Sequence, residues 1–206
     1  MVSSSPLDVS RAERRARARE FTRAAILSAA RQVAAREGAA NLSLRAVASE
    51  AGFAPAALYG YFANKSELLI ALAAEDLGIV TRSLRELRAE APALGRAAGV
   101  AIDVLRQSET MAAGAAALSS AGGAGEAERL FNGRLIAALR ALSEASGTPD
   151  DSRQGQADVV LIAAAITGIA VLARSGRLQA LGFSPAELIA ALDGHFASGT
   201  TPVKAP

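Results

Sequence analysis

The sequence predicts an all-α protein in two parts, a small N-terminal three-helix unit and a larger helical body, and three observations carry that prediction. Of its 206 residues 51% are hydrophobic and only 4% aromatic, so alanine, the residue that loses least entropy in a helix, supplies most of the apolar material. No stretch alternates apolar and polar residues as a half-buried strand does, and no repeat of fixed period is present. Charge is divided unevenly: residues 1–65 carry ten Lys/Arg and five Asp/Glu, or +5, while residues 66–206 carry twelve and fifteen, or −3. A basic front on a mildly acidic body points to a polyanion-binding part joined to a part with another task.

Taken in order, residues 1–10 read as disordered. Arg11, Arg14, Arg15, Arg17 and Arg19 form either a flexible arm or an extension of the first helix, and residues 1–19 are assigned as a flexible basic arm. From Arg23 onward Ile26, Ala29, Ala30, Val33 and Ala34 recur at threes and fours as far as Gly38, which predicts a helix over 20–37. Ser43 caps a second helix with Leu44, Val47 and Ala48 on one face, ending near Ala51, and Gly52 supplies the turn. Pro55 suits the first position of a third helix, where its missing N–H has no partner to lose, and this helix runs to about Tyr61. Ala54 before it has no side-chain oxygen, so the third helix starts without a cap worth ~1 kcal/mol.

Asn64 with Glu67 resembles a capping box and opens a fourth helix over 64–89, stopped by Pro92. Further helices are predicted at 92–107, 109–119, 125–145, 153–175 and 184–196, separated by pieces such as Gly122-Gly123 and Gly147-Thr148-Pro149. Phe21, Phe53 and Phe62 are assigned to the core. The apolar run from Val159 to Ala173, between Asp158 and Arg174, is shorter than the ~18 residues of a membrane span and reads as a buried helix.

Several function classes drop out. The absence of cysteine removes disulfides, thiolate metal sites and cysteine nucleophiles, and leaves the cytoplasm as the default compartment. Met1 to Pro6 run into arginines rather than an apolar segment, so no signal peptide is expected. A single histidine, His195 beside Phe196, excludes a His-rich metal site and reads as a helix-end residue. The adjacent acids Glu75-Asp76 and Asp150-Asp151 point to different sides of a helix rather than converging as an acid/base pair, and both pairs are expected at the surface. Neither a phosphate-cradling glycine motif nor a nucleophile elbow is present, so no enzyme and no cofactor is expected.

Val47-Ala48, Gly52-Phe53 and Leu58 have the spacing of a helix-turn-helix, with small Ala48 where two helices cross, Gly52 free to take a positive φ, and Leu58 closing the core. Together with its surroundings, "ILSAARQVAAREGAANLSLRAVASEAGFAPAALYGYFANKSELL" resembles the DNA-binding domain of the TetR family of bacterial transcriptional regulators, over about residues 20–70. Ser43-Leu44-Arg45 stands where that family has Thr/Ser-x-Arg, Leu58-Tyr59-Gly60-Tyr61-Phe62 where it has Leu-Tyr-x-Tyr/His-Phe, and Asn64-Lys65 where it has Ser/Asn-Lys. The resemblance implies a DNA-binding set of Ser43, Leu44, Arg45, Ala54, Pro55, Ala56, Ala57, Tyr59, Tyr61 and Lys65. Ser43, Tyr59, Tyr61 and Lys65 would touch phosphate, while Arg45 and the start of the third helix enter the groove. The chemistry agrees, since hydroxyls, an ammonium and helix-start amides grip phosphate oxygens. Ala54 to Ala57 carry no side-chain donor; they allow close approach and methyl contact with thymine, Arg45 can bond guanine, and DNA shape and the arginine arm supply the rest.

The same resemblance implies a helix-turn-helix domain at 20–67, a ligand-binding and dimerisation domain at 68–198 and a disordered tail at 199–206. Ala163, Ala164, Gly168 and Ala170 in helix 153–175, with Leu130, Phe131, Leu135, Ala138, Leu139 and Leu142 in helix 125–145, suit a two-fold bundle. Leu105, Met111, Leu118 and Phe131 are candidate effector-pocket lining, with Arg106, Gln107, Asn132 and Arg134 as polar anchors, for a modest, mainly lipophilic ligand. The expectation is a cytoplasmic, homodimeric, effector-responsive regulator, a repressor that binds double-stranded DNA at a near-palindromic operator, with no membrane partner. The competing reading is a helical interaction module that has lost DNA binding, which the donor-poor Ala54–Ala57 sustains.

Overall fold

A computed structural model of the chain describes residues 6–87, 93–119, 125–147 and 151–198. Among these residues every regular element is an α-helix. Pro92, Gly122-Gly123, Thr148-Pro149, Asp150 and the tail 199–206 lie outside the described residues.

Helix α1 spans Pro6–Glu37 without a break. The alternative left open for Arg11–Arg19 is therefore settled as a helical extension, and the expected disorder to residue 10 is corrected from Pro6 onward. Proline at a first helical position and a following run rich in Ala, Arg and Glu favour that outcome. Ile26, Leu27, Ala30, Val33 and Ala34 form its buried stripe. Phe21, expected in the core, is 79% exposed; it sits on the side of α1 opposite that stripe, facing away from the small unit. Phe62 is buried and Phe53 half-buried.

Gly38 ends α1 with φ 80°. Helix α2 covers Leu44–Ala51, its start capped by Ser43, whose Oγ accepts the Ala46 N–H at 3.2 Å, and its end by Gly52 at φ 72°. Helix α3 is only Pro55–Leu58; Tyr59 to Tyr61, expected to continue it, form turns in which the Gly60 N–H bonds the Ala57 carbonyl and the Tyr61 N–H the Leu58 carbonyl. Leu42, Val47, Ala48, Leu58 and Phe62 close the core of this unit.

Helix α4, Lys65–Glu86, is buried on almost every side from Leu68 to Leu84. It begins at the predicted Asn64 cap, where Asn64 Oδ1 accepts the Glu67 N–H at 2.8 Å; the Glu67 carboxylate reaches one residue further back than expected, to the Ala63 N–H at 2.7 Å. Around it pack α5 (Leu94–Gln107), α6 (Met111–Leu118) and α7 (Glu126–Ser146), while α8 (Arg153–Arg174) lies on α5 and α7. A short α9 (Arg177–Ala180), too brief to show periodicity, leads to α10 (Pro185–Ser198), which packs on α5 and α8. A Ser184/Glu187 capping box precedes α10, with the Ser184 N–H donating to Glu187 Oε2 at 2.7 Å and the Glu187 N–H to Ser184 Oγ at 3.3 Å.

Helix α8 departs from the expectation of a fully buried helix. Val159, Ile162, Ile166, Ile169 and Ala170 are buried, but Val160 and Val171 are exposed and Leu161 is 59% exposed. Length and composition would let α8 cross a membrane. Its buried face nevertheless packs against α5, α7 and α10 within this body, which cover one side of it and leave the other open.

The approach of α6 to α4 is set by Gly114, where an added Cβ would collide with Ala73 Cβ and lie 2.6 Å from the Leu69 carbonyl oxygen. Two helix backbones meet there with no room for a methyl. Gly114→Ala should lower stability to chemical denaturation by ~1–3 kcal/mol; an unchanged denaturation midpoint would mean the two helices are not in such close contact.

Candidate nucleic-acid interface

The predicted contact residues divide into those the fold presents and those it covers. An open depression at the junction of α2 with the α3–α4 turn is lined by Leu42, Ser43, Leu44, Arg45, Tyr59, Ala63, Asn64 and Lys65. Ser43 and Arg45 are exposed there, and Tyr59 is 58% exposed. Ala54, Pro55, Ala56 and Ala57 are exposed as well, and Ala54 makes no side-chain cap, as expected. Leu44 lines the same depression from the start of α2, with its side chain largely buried in the small core. The spacing of hydrophobic residues had already placed it on the same face as Val47 and Ala48.

Lys65 is half-buried, and its Nζ donates to the Ala40 carbonyl at 2.5 Å. This bond ties the start of α4 to the α1–α2 loop and holds the ammonium in place, with two protons left for an oxyanion. Tyr61 is half-buried beneath Arg19, whose Cζ lies 5.0 Å from the ring centroid while its Nη2 donates to the Gly60 carbonyl at 2.9 Å. Arg23 stands over Phe62 in the same way at 5.1 Å. Two arginines of α1 thus clamp the α3–α4 turn, a role the sequence did not signal because the contact joins residues 41 positions apart. No ion pair among the described residues joins Arg19, Arg23, Arg45 or Lys65 to a carboxylate. Rings and carbonyls hold Arg19, Arg23 and Lys65 without cancelling their charge, so the face stays positive.

The effector candidates are more scattered. A cleft of about 60 Å³ is lined by Leu77, Val80, Leu84, Leu105, Leu135, Leu142 and Ile166, with Thr167 its polar group. Leu105 and Met111 line a second, smaller cleft beside Ser108 and Arg174. Phe131 is core and Leu118 half-buried, and neither lines these clefts. Arg134 is exposed and lies across Gly78, its Nη1 3.3 Å from where a Cβ would stand. Arg106 pairs with Asp103 at 3.4 Å, and Gln107 Nε2 donates to the Asp103 carbonyl.

Asp76, expected at the surface beside Glu75, is 1% exposed. It accepts from Arg31 Nη1 and Ser108 Oγ, each at 2.5 Å, and from Thr110 Oγ1 at 2.7 Å. Arg31 also reaches Glu75 Oε2 at 3.2 Å. Burial acts to lower the Arg31 guanidinium, but the charges and hydrogen bonds of Asp76, then Glu75, outweigh it and raise its pKa above the ordinary value. A pattern read along one helix could not place Asp76, because its cover comes from α1 and from the α5–α6 turn. Among the described residues no cluster of His, Asp or Glu could hold a metal.

Residues 26–72 match the family described as bacterial regulatory proteins, tetR family. Residues 26–72 thus belong to the TetR family of DNA-binding domains. The chain is also 38% identical over 91 residues to an uncharacterized HTH-type transcriptional regulator of Haemophilus influenzae; the match covers 43% of this chain and 44% of that protein, less than half the length of either. In fold it is similar to a TetR transcriptional regulator from Rhodococcus sp. RHA1, at a TM-score of 0.68 and 20% identity over 88% of this chain and 99% of the other. It is similar also to FadR from Bacillus subtilis, solved in complex with stearoyl-CoA, at a TM-score of 0.58 and 20% identity over 86% and 98% of the two chains.

The uncapped start of α3 has a measurable consequence for this TetR-family domain. Amides of Ala56–Tyr59 should exchange faster than those of α2 in the free protein and become protected on DNA, and Ala54→Ser should slow that exchange and add ~0.5–1 kcal/mol of stability. Equal protection of Ala56–Tyr59 with and without DNA would contradict a loose recognition helix.

Proposed function

We propose that the protein is a homodimeric, effector-responsive DNA-binding transcriptional regulator that acts in the cytoplasm as a repressor. The observation that carries this reading is the gathering of Ser43, Arg45, Tyr59 and Lys65 around one open depression with its positive charge unopposed. Hydroxyls and the fixed ammonium hold phosphate oxygens and set the register, and Ala54–Ala57 lets α3 lie close in the major groove while Arg45 reads guanine. Residues 20–67 act as the DNA-binding domain and 68–198 as the effector and dimerisation domain, with the α1 extension adding basic charge beside the DNA.

The uncovered sides of α7 and α8 support a dimer. Leu135 and Ile136 on one and Val160, Leu161 and Val171 on the other are exposed apolar residues, and Gly168 has open space before it. A second copy packed by a two-fold axis would cover them and set two recognition helices one DNA turn or more apart, ~34 Å or beyond. The cleft beneath α7, apolar apart from Thr167, supports a lipophilic effector. The stearoyl-CoA of the FadR relative is consistent with an acyl-like ligand. Ligand pockets hold ~300 Å³ or more, against about 60 Å³ here. An effector must therefore part α4, α5, α7 and α8, and that opening shifts the population away from the DNA-competent state.

Selection of bound duplexes from random DNA tests the whole reading. An enriched inverted repeat is expected, with Arg45→Ala costing ~1–3 kcal/mol and relaxing preference at its base pair, and with Leu161→Arg giving monomers that bind it poorly. No enrichment at low salt would instead favour the interaction module, the reading that the donor-free Ala54–Ala57 surface supports. A second measurement addresses the α1 extension: removing residues 1–18 should flatten the slope of log affinity against log salt, whereas an unchanged slope would show that these arginines stay off the DNA.

A further inference from the structure

The buried carboxylate of Asp76 joins parts of the molecule that belong to different tasks. A carboxylate removed from water is stable only with a cation and a full set of donors. Here the cation, Arg31, comes from α1 of the DNA-binding unit, and both neutral donors, Ser108 and Thr110, come from the α5–α6 turn of the body. Ser108 Oγ also accepts the Met111 N–H at 2.9 Å, so one hydroxyl both starts α6 and serves Asp76. Glu109, between the two hydroxyl residues, pairs instead with Arg174 at the end of α8, 3.0 Å away. Ser108 and Arg174 line the small cleft between α5, α6 and α8 together with Leu105, Met111 and Thr167. Gly114 meanwhile locks α6 to α4, so the turn cannot drift from Asp76 without a strain on that contact.

We propose that Ser108-Glu109-Thr110 is a positioning relay, which passes the state of the α5–α6–α8 cleft through Asp76 to Arg31 and so sets the orientation of α1 and the DNA-binding unit. The proposal rests on the regulator reading above. Arg31 has two acceptors: its fork is shared between Asp76 and Glu75 while the hydroxyls serve Asp76. A group that enters the cleft and turns Ser108 away leaves Asp76 short of a donor, and the guanidinium is drawn wholly onto it and off the more exposed Glu75. Because Arg31 stands on a continuous helix that also carries Arg19 and Arg23 on the α3–α4 turn, that movement reaches the recognition surface. The two arrangements of Arg31 supply the discrete states that coupling between distant sites requires.

The test uses the full-length protein and the duplex recovered by selection. Ser108→Ala, Thr110→Val and Arg31→Gln are each expected to weaken operator binding by about tenfold. The selected sequence and the salt slope should be unchanged, because no group that touches DNA is altered. The double variant Ser108→Ala with Arg31→Gln should bind no worse than Arg31→Gln alone, as expected of residues acting through one another. Variants that bind like the wild type, with only thermal stability lowered, would overturn the relay, and so would independent effects that multiply. Should Thr110→Val fail to fold, Thr110→Ser keeps the hydroxyl and is expected to bind as the wild type, so that a loss of affinity there overturns the relay. Failure of the wild type to bind any duplex would sink the regulator reading instead, so the two failures are distinguishable.

Discussion

Burial of α4 on nearly all sides is the constraint around which the rest of the molecule is arranged. From Leu68 to Leu84 this helix gives its apolar positions to α1, α5, α6 and α7 in turn. Enclosure on that scale normally excludes charge, because the lost hydration of a carboxylate is returned only by a well-placed cation and donors. Asp76 meets that condition with Arg31, Ser108 and Thr110. The same helix starts at Asn64, a few residues after the recognition helix, and its first residue, Lys65, is anchored on the α1–α2 loop. A helix so held resists bending, since a packed interior does not deform smoothly.

The DNA-facing end follows a different economy. Ser43, Arg45 and Tyr59 are exposed, and Arg19 and Lys65 are held by carbonyls and an aromatic ring, so order is achieved without neutralising charge. Ser43 uses its hydroxyl to accept the Ala46 N–H, which fixes the start of α2. Helix α3 has the weakest local support of the three, with no capping side chain and a single helical turn. Stability and recognition pull against one another at that point, as they do wherever a binding element must remain adaptable.

The TetR-family likeness accounts for the first part of the chain more fully than for the second. The family match stops at residue 72, within α4. Beyond it, the similarity to solved relatives at about 20% identity is a similarity of fold. The contacts that organise this body are local: the Gly114 approach, the hydroxyl pair on Asp76, and a small apolar cleft between α4, α5, α7 and α8.

Read along the chain, the helix-turn-helix was legible because its signals are local. A cap at Ser43, a positive φ at Gly52, a proline at the first position of α3 and a cap at Asn64 each act within four residues, and each stands as expected; only the Glu67 carboxylate differs, reaching the Ala63 N–H. Periodicity located the long helices for the same reason, to within a few residues at their ends except at the start of α1, which reaches back to Pro6 where charge rather than apolar spacing dominates the sequence. The burial of Asp76, the clamp of Arg19 on Gly60, the exposure of Phe21 and the half-covered state of α8 were not legible. Each depends on which distant helix lies over a given face, and a residue's own neighbours in sequence carry no record of that. The sequence by itself determined the helices, their turns and the chemistry offered to DNA. Tertiary structure alone decided which charges were buried and which apolar faces stayed open, because burial is a property of the surfaces that meet and not of the segment that supplies them.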